Sequence, residues 1–243
     1  MAQSAVRFDQ VRKSYGRQTV LQGVDLDIAA GLSFGLVGIN GAGKTTLIKC
    51  LLDFCHVDAG RIEIFGRRHT ASSARARLAF LPERFMPPYF LTGRDFLNYM
   101  LRLDQRVAAE DRLRAMFAEL DLDADALDKP VRSYSKGMTQ KLGLAACLLA
   151  EPALLILDEP MSGLDPLARA RVKQLLKKSH AQGHTLFFTS HALSDVEEIC
   201  EHMVVLHQGR LRFSGSPSEL LRAAARDTLE QAFLACIEGG ADG

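Results

Sequence analysis

The run Gly38-Ile39-Asn40-Gly41-Ala42-Gly43-Lys44-Thr45 constrains the fold of this chain more than any other feature. Its spacing is that of the phosphate-binding P-loop, in which glycines let backbone N–H groups turn inward onto a polyphosphate. Such a loop needs a buried strand before it and a helix after it. Leu32–Val37 reads as the strand, and Thr46–Phe54 continues the helix. A helix opening near Gly43 adds the positive end of its dipole. Lys44 then reaches the β- and γ-phosphates, the Thr45 hydroxyl sits on Mg²⁺, and Asn40, Ala42 and Thr46 share the cradle. A chance glycine-rich turn is the alternative; strand, loop and Lys-Thr-Thr falling in order argue against it.

Around this unit the chain alternates strand and helix patterns. Val6–Val11, Val24–Ile28 and Arg61–Phe65 alternate apolar and polar residues and predict a small antiparallel sheet. Ala153–Leu157 is a continuous apolar run, as a central parallel strand requires; Thr185–Thr189 reads as another buried strand, and Ala79–Leu81 as a short one stopped by Pro82. Helical spacing falls over Arg94–Leu103, Asp111–Leu120, Tyr134–Ala150, Pro166–His180 and Ser194–Glu201. Met203–Leu206 and Arg210–Phe213 predict a hairpin across Gln208-Gly209. The fold class is therefore α/β with a mostly parallel sheet. One domain over 1–220 is expected, with a helical insertion over about 84–150. A helical tail follows over 221–243, frayed from Glu238 onward.

Bulk properties narrow the function classes. Thirty basic and 29 acidic residues leave a formal net charge of +1, which gives no electrostatic footprint for nucleic acid and none for a membrane surface. The longest apolar candidate, Leu142–Leu157, is interrupted by Glu151 and Pro152, so no span is expected. Met1–Val11 lacks the regions of a signal peptide, and a cytoplasmic location is expected. The five cysteines are scattered and read as reduced. Cys50, Cys55 and His56 lie close together without a matching second ligand pair, so zinc is not read there.

Two further clusters carry chemistry. Leu154–Asp158 is an apolar strand ending in a carboxylate placed to hold Mg²⁺, and Glu159, pointing elsewhere, is suited to orient or deprotonate water. Two solvated acids closing a strand are the alternative. Ser133–Met138 leads into an apolar helix; Ser135 is a natural N-cap, and Gly137 lets an anion approach the backbone. By local physics alone an ordinary helix cap is the better explanation of these residues.

Taken in order, these motifs resemble the ATP-binding cassette (ABC) family, over about Val6–Leu220. Gly38–Thr45 resembles Walker A and Leu154–Glu159 Walker B. Tyr134–Met138 resembles the family signature, Ser162–Asp165 the D-loop and His191 the switch histidine. Tyr15 fits the aromatic that stacks on adenine, or simply marks a turn before Gly16. The resemblance implies a P-loop NTPase core, an N-terminal antiparallel β-subdomain and an inserted α-helical subdomain. It implies two copies packed head to tail around two ATP molecules. Ser135 and Gly137 would contact the γ-phosphate across that interface, Glu159 would act as general base, His191 would hold the γ-phosphate and Asp165 would couple the sites. ATP and Mg²⁺ are the implied ligands. An integral-membrane permease on another chain is the implied partner, with the cassette on the cytoplasmic face of the membrane.

The chain departs from the family pattern at two places. The usual signature reads Leu-Ser-Gly-Gly-Gln; here Tyr134, Lys136 and Met138 stand at the first, third and fifth positions. A Tyr-Ser-Lys-Gly-Met signature resembles the cassettes of type-2 exporters. The family's Q-loop glutamine falls at Glu83, which keeps an oxygen for Mg²⁺ but lacks the amide donor; an exposed loop acid is the other reading. Arg84–Leu91 is rich in large apolar residues and suits either a permease contact or internal packing. A soluble ABC ATPase of translation or DNA repair is the alternative function, and a catalytically weak regulatory cassette a third; intact Lys44, Asp158, Glu159 and His191 argue against the third.

Overall fold

The computed structural model describes residues 3–239. In chain order its elements are β1 (Ser4–Tyr15), β2 (Gln18–Ala29), β3 (Ser33–Val37), α1 (Lys44–Leu51), β4 (Ala59–Ile64), β5 (Arg67–Arg68), α2 (Ser72–Arg75) and β6 (Leu78–Leu81). These are followed by α3 (Gly93–Leu103), α4 (Glu110–Glu119), α5 (Lys136–Leu149), β7 (Leu154–Asp158), α6 (Pro166–Ala181) and β8 (Thr185–Thr189). The last elements are α7 (Leu193–Ile199), β9 (His202–His207), β10 (Arg210–Gly215), α8 (Pro217–Ala224) and α9 (Leu229–Glu238). The chain divides into two compact units, one built from residues up to Arg77 and from Thr185 onward, the other from Leu78–His184.

The first unit holds two layers of strand. An antiparallel sheet of order β2-β1-β4-β5 uses the alternation read in the sequence: Val6, Phe8 and Val11 are buried while Arg7 and Asp9 face out. Register shifts in β1 coincide with Gln10, whose φ of 48° breaks the pleat. The second layer runs β10-β9-β3-β8, with β3 parallel to both β8 and β9. All residues of β3 and of β8 are buried, because helices and sheet cover both faces of such strands. Their polar members are satisfied: Ser33 Oγ donates to Ile199 O at 2.8 Å, and Thr185 Oγ1 accepts from Gly31 N at 2.9 Å. Phe34 and Phe187 meet edge to face at 5.3 Å between ring centres, a contact worth about 1 kcal/mol beyond burial.

The helical tail expected over 221–243 is two helices, the first of which already begins at Pro217. Ala225 takes a left-handed φ of 49°, which ends α8, and Thr228 caps α9 by accepting from Gln231 N. The face of α9 bearing Leu229, Ala232 and Phe233 is buried, and α9 packs on α7, α8 and the β9–β10 hairpin. The fraying expected at 240–243 lies outside the described residues.

In the second unit β6 and β7 pair in parallel, with Leu81 opposite Leu157. Between them the chain runs through α3, α4, two short 3₁₀ turns and α5. Thr92 and Asp95 form a reciprocal capping box at the start of α3, which buries Phe96, Leu97 and Leu101. Helix α5 carries Leu142, Leu144 and Leu149 inward, and Gly143 admits the side chains of Leu81 and Phe85. Among the described residues no helix is long and apolar enough to cross a membrane.

Candidate functional site

The P-loop residues lie where β3 ends. Gly41 and Gly43 take φ of 81° and 111°, conformations costly for any residue with a β-carbon. Ile39, Asn40, Gly41 and Thr45 are exposed, Ala42 and Gly43 are buried, and Thr46 is half-buried. Gly38 is pressed against the Leu206 carbonyl, with no room there for a side chain. The Lys44 ammonium crosses the loop, donating to Gly38 O at 2.6 Å and to Ile39 O at 3.4 Å. The first turn of α1 contains no acidic residue of its own to offset the helix dipole.

A residue the motif does not contain also holds this loop. Gly209 N donates to Ala42 O at 3.0 Å, and Gly209 O accepts from Gln22 N at 2.9 Å. The β9–β10 turn therefore clips the P-loop to β2. Its φ of 73° and its closeness to the Val20 carbonyl both require glycine. In the sequence Gln208-Gly209 signals only a hairpin turn; nothing local tells which loop that turn will touch.

His191 reaches the same edge from β8. Leu36 of β3 is the partner of Thr189 of β8, so Gly38 and His191 each lie two residues past one rung of a parallel ladder. Open parallel sheets bind ligands at this carboxyl edge. His191 is exposed, and Ser190 Oγ accepts from Ala192 N at 3.1 Å, shaping the turn that presents it. Tyr15 ends β1 and is 49% exposed, with the Lys13 ammonium 5.3 Å from its ring centre. Its hydroxyl lies against the side chains of Cys55 and Thr46. The Cys55 thiol, then burial, hold that hydroxyl above its ordinary pKa. Tyr15 thus stands beside the first turn of the P-loop helix.

The second unit gathers the remaining residues. Asp158, 4% exposed, is the last residue of β7. The Leu81–Leu157 rung places Glu83 and Glu159 each two residues beyond it, so three carboxylate residues leave one edge of this strand pair. Glu159 is half-buried and takes a left-handed φ of 50°, rare for a residue with a side chain and characteristic of functional strain. Glu83 is exposed and lines a cavity of about 570 Å³ together with Tyr134, Lys136, Gln140 and Ser162. Among the described residues no three His, Cys, Asp or Glu side chains form a preassembled metal cage. Asp158 and Glu83 offer carboxylate oxygens, the donor type that Mg²⁺ takes beside phosphate and water.

Ser135 caps α5, its Oγ accepting from Met138 N at 3.2 Å, and nothing crowds Gly137 closer than Leu164 at 3.6 Å. The altered signature positions have structural partners. Tyr134 donates its hydroxyl to Ala126 O at 2.5 Å and packs over Gly93; burial pushes its pKa to about 12. The Lys136 stem lies over Gly163, whose φ of 76° turns the loop before Asp165. Asp165 caps α6 by accepting from Ala168 N at 2.9 Å, and this bond holds its carboxyl below the usual carboxylate range. Gln140, buried on α5, donates to Pro160 O at 3.3 Å and fastens the signature helix to the loop after β7. Arg84–Leu91 divides: Phe85 meets Phe96 edge to face, while Met86, Tyr89 and Phe90 are 87%, 69% and 70% exposed.

A P-loop between a buried parallel strand and a helix places the chain in the class of P-loop proteins. Residues 21–162 match the family model described as ABC transporter, and the chain belongs to that family. It is 41% identical over 205 residues to an uncharacterized ABC transporter ATP-binding protein of Synechocystis, covering 83% of this chain and 58% of that one. The chain thus spans less than two thirds of this relative's length. It is 37% identical over 230 residues to the Nod factor export ATP-binding protein I of Paraburkholderia xenovorans, covering 91% and 74%. A solved ATP binding subunit of an ABC transporter superposes with a TM-score of 0.86 at 28% identity, covering 96% of this chain and 99% of that one.

Proposed function

We propose that this chain binds and hydrolyses ATP with Mg²⁺ and energises a separate integral-membrane permease for export, working as two copies packed head to tail at the cytoplasmic face of the membrane. The observation that carries this reading is the shared rung Leu36–Thr189, which sends the P-loop and His191 out of one sheet edge. Lys44 exchanges its loop carbonyls for the β- and γ-phosphates, and exposed backbone around Asn40 and Gly41 lines the phosphate chain. Tyr15 stacks on adenine. Thr45, Asp158 and Glu83 would hold Mg²⁺, which would neutralise charge on the phosphates. Glu159 takes the proton of the attacking water, and His191 donates to the γ-phosphate oxygens. Ser135, Gly137 and Asp165 serve the partner copy's site. Export is supported by the Tyr-Ser-Lys-Gly-Met signature and by the Nod factor export relative. Exposed Met86, Tyr89 and Phe90 suit the permease contact, with Phe85 as their internal anchor. A near-neutral charge gives no ground for a nucleic-acid partner.

The test has two arms. Purified chain should release phosphate from ATP only with Mg²⁺. The Glu159→Gln variant, tagged and extracted in mild detergent with Mg²⁺-ATP, should bring down a polytopic membrane protein in near-equal amount. Ribosomal or DNA-repair proteins with no membrane chain would overturn the transport reading in favour of a soluble ABC ATPase.

A further inference from the structure

Cys50 and Cys55 stand at the far end of the P-loop helix with their Sγ atoms 3.5 Å apart. Cys50 is fully buried in the last turn of α1, and Cys55 is partly exposed just beyond it. The turn between them is set by a left-handed Asp53, with φ of 62°, and by Phe54 N donating to Lys49 O at 2.8 Å. A disulfide needs its sulfurs about 2.05 Å apart, so closure asks for roughly 1.5 Å of side-chain rotation. Phosphate binding uses neither thiol.

The surroundings give the pair a direction. Burial pushes the Cys50 thiol up to about 12, which keeps it protonated. Cys55 is the accessible member, and the Lys13 ammonium, bonded to Asp58 at 3.1 Å, lies near it. Cys55 also touches the Tyr15 hydroxyl, the aromatic beside the P-loop helix.

We propose that Cys50 and Cys55 form a redox-sensitive thiol pair that peroxide closes to a disulfide, and that closure withdraws Cys55 from Tyr15 and weakens nucleotide binding. The second half rests on the reading of Tyr15 as the adenine platform. The Cys55 thiolate attacks one peroxide oxygen; the O–O bond breaks, and Cys55 becomes a sulfenic acid as hydroxide leaves. The Cys50 sulfur then attacks the Cys55 sulfur. The S–S bond forms, the S–O bond breaks, and the departing hydroxide takes up the Cys50 proton. Two thiols lose two electrons and one peroxide becomes two waters.

The test uses the full chain, reduced and then exposed to hydrogen peroxide, alkylated and digested for mass spectrometry. The peptide spanning both cysteines should appear unalkylated and two hydrogens lighter, with dithiothreitol restoring alkylation, while Cys147, Cys200 and Cys236 are alkylated as before. ADP affinity by calorimetry should fall about tenfold on oxidation, in the range that loss of base stacking gives, and recover with dithiothreitol. Cys50→Ser should keep its affinity under peroxide, and Cys55→Ser provides a second variant without the disulfide. Full alkylation of both residues, or Cys55 advancing to a sulfinic acid alone, overturns the pair. A disulfide with unchanged ADP affinity overturns its link to Tyr15. A reduced chain that never binds ADP removes the nucleotide reading and the regulation with it, while the peptide map still decides whether the pair exists.

Discussion

Gly38 and His191 lie in step, each two residues past the Leu36–Thr189 pair of adjacent parallel strands. A loop built to hold phosphate and an imidazole therefore leave the sheet at one level, although 153 positions separate them in sequence. The proposed role of His191 at the terminal phosphate makes a specific prediction. His191→Ala should lower kcat about 100-fold while ADP affinity changes less than about threefold, the pattern of an interaction strongest in the transition state. Steady-state phosphate release beside ADP calorimetry checks it; equal losses in both would assign His191 to ground-state binding.

Lys44 closes on the Gly38 and Ile39 carbonyls, so the ammonium is already held over the loop's mouth. Charge-assisted bonds to phosphate should outweigh these neutral ones. Lys44→Ala should reduce ATP affinity at least about tenfold. Unchanged affinity by calorimetry would count against the phosphate role.

Much of this was legible in the sequence because the signals are short-range. Leu154–Leu157 is an unbroken apolar run and Leu186–Phe188 another, and such runs become strands covered on both faces. Ser135, followed by a helical pattern, announces its own cap. What stayed hidden depends on distant closure or on backbone sign. The hairpin at Gly209 is readable, but its clip onto Ala42 exists only once β9 has paired with β3. Gln140 looks like an exposed helix residue until the loop after β7 brings Pro160 O to it. Ala225 gives no local warning that it will turn left-handed and split the tail. Glu159 was legible as an acid, not as a strained one.

That strain shapes the next prediction. Glu159 holds a φ of 50° immediately before Pro160. Glu159→Gln keeps shape and backbone and removes only basicity. It should bind ATP normally, slow hydrolysis by about 100-fold or more, and accumulate as an ATP-dependent dimer. Light scattering after chromatography in Mg²⁺-ATP measures the dimer. A wild-type hydrolysis rate would remove Glu159 as the base.

Tyr134 offers a test against pH. Its hydroxyl donates to Ala126 O, and burial raises its pKa from about 10 to about 12. Between those values the unfolded chain loses this proton while the folded chain retains it, so stability falls as pH rises through that window. Tyr134→Phe should lose that part of the alkaline slope. At neutral pH it should be about 1 kcal/mol less stable, because the Ala126 carbonyl loses its donor. Urea unfolding at several pH values separates the two effects.

Gly209 gives the sharpest stability prediction, since one position serves both a turn and the P-loop. A β-carbon there meets the Val20 carbonyl oxygen, and the φ of 73° disfavours it before any collision. Either the turn shifts or the strand β2 does, and both movements stretch the bond from Gly209 N to Ala42 O. Gly209→Ala should cost about 1–3 kcal/mol and weaken ADP binding, although residue 209 lies outside the phosphate motif. Gly183→Ala is the comparison: its φ of 92° is also left-handed, but open space surrounds it. It should lose stability through backbone strain and leave ADP affinity unchanged. Equal effects of the two substitutions on ADP affinity would show that the Gly209 clip does not hold the P-loop.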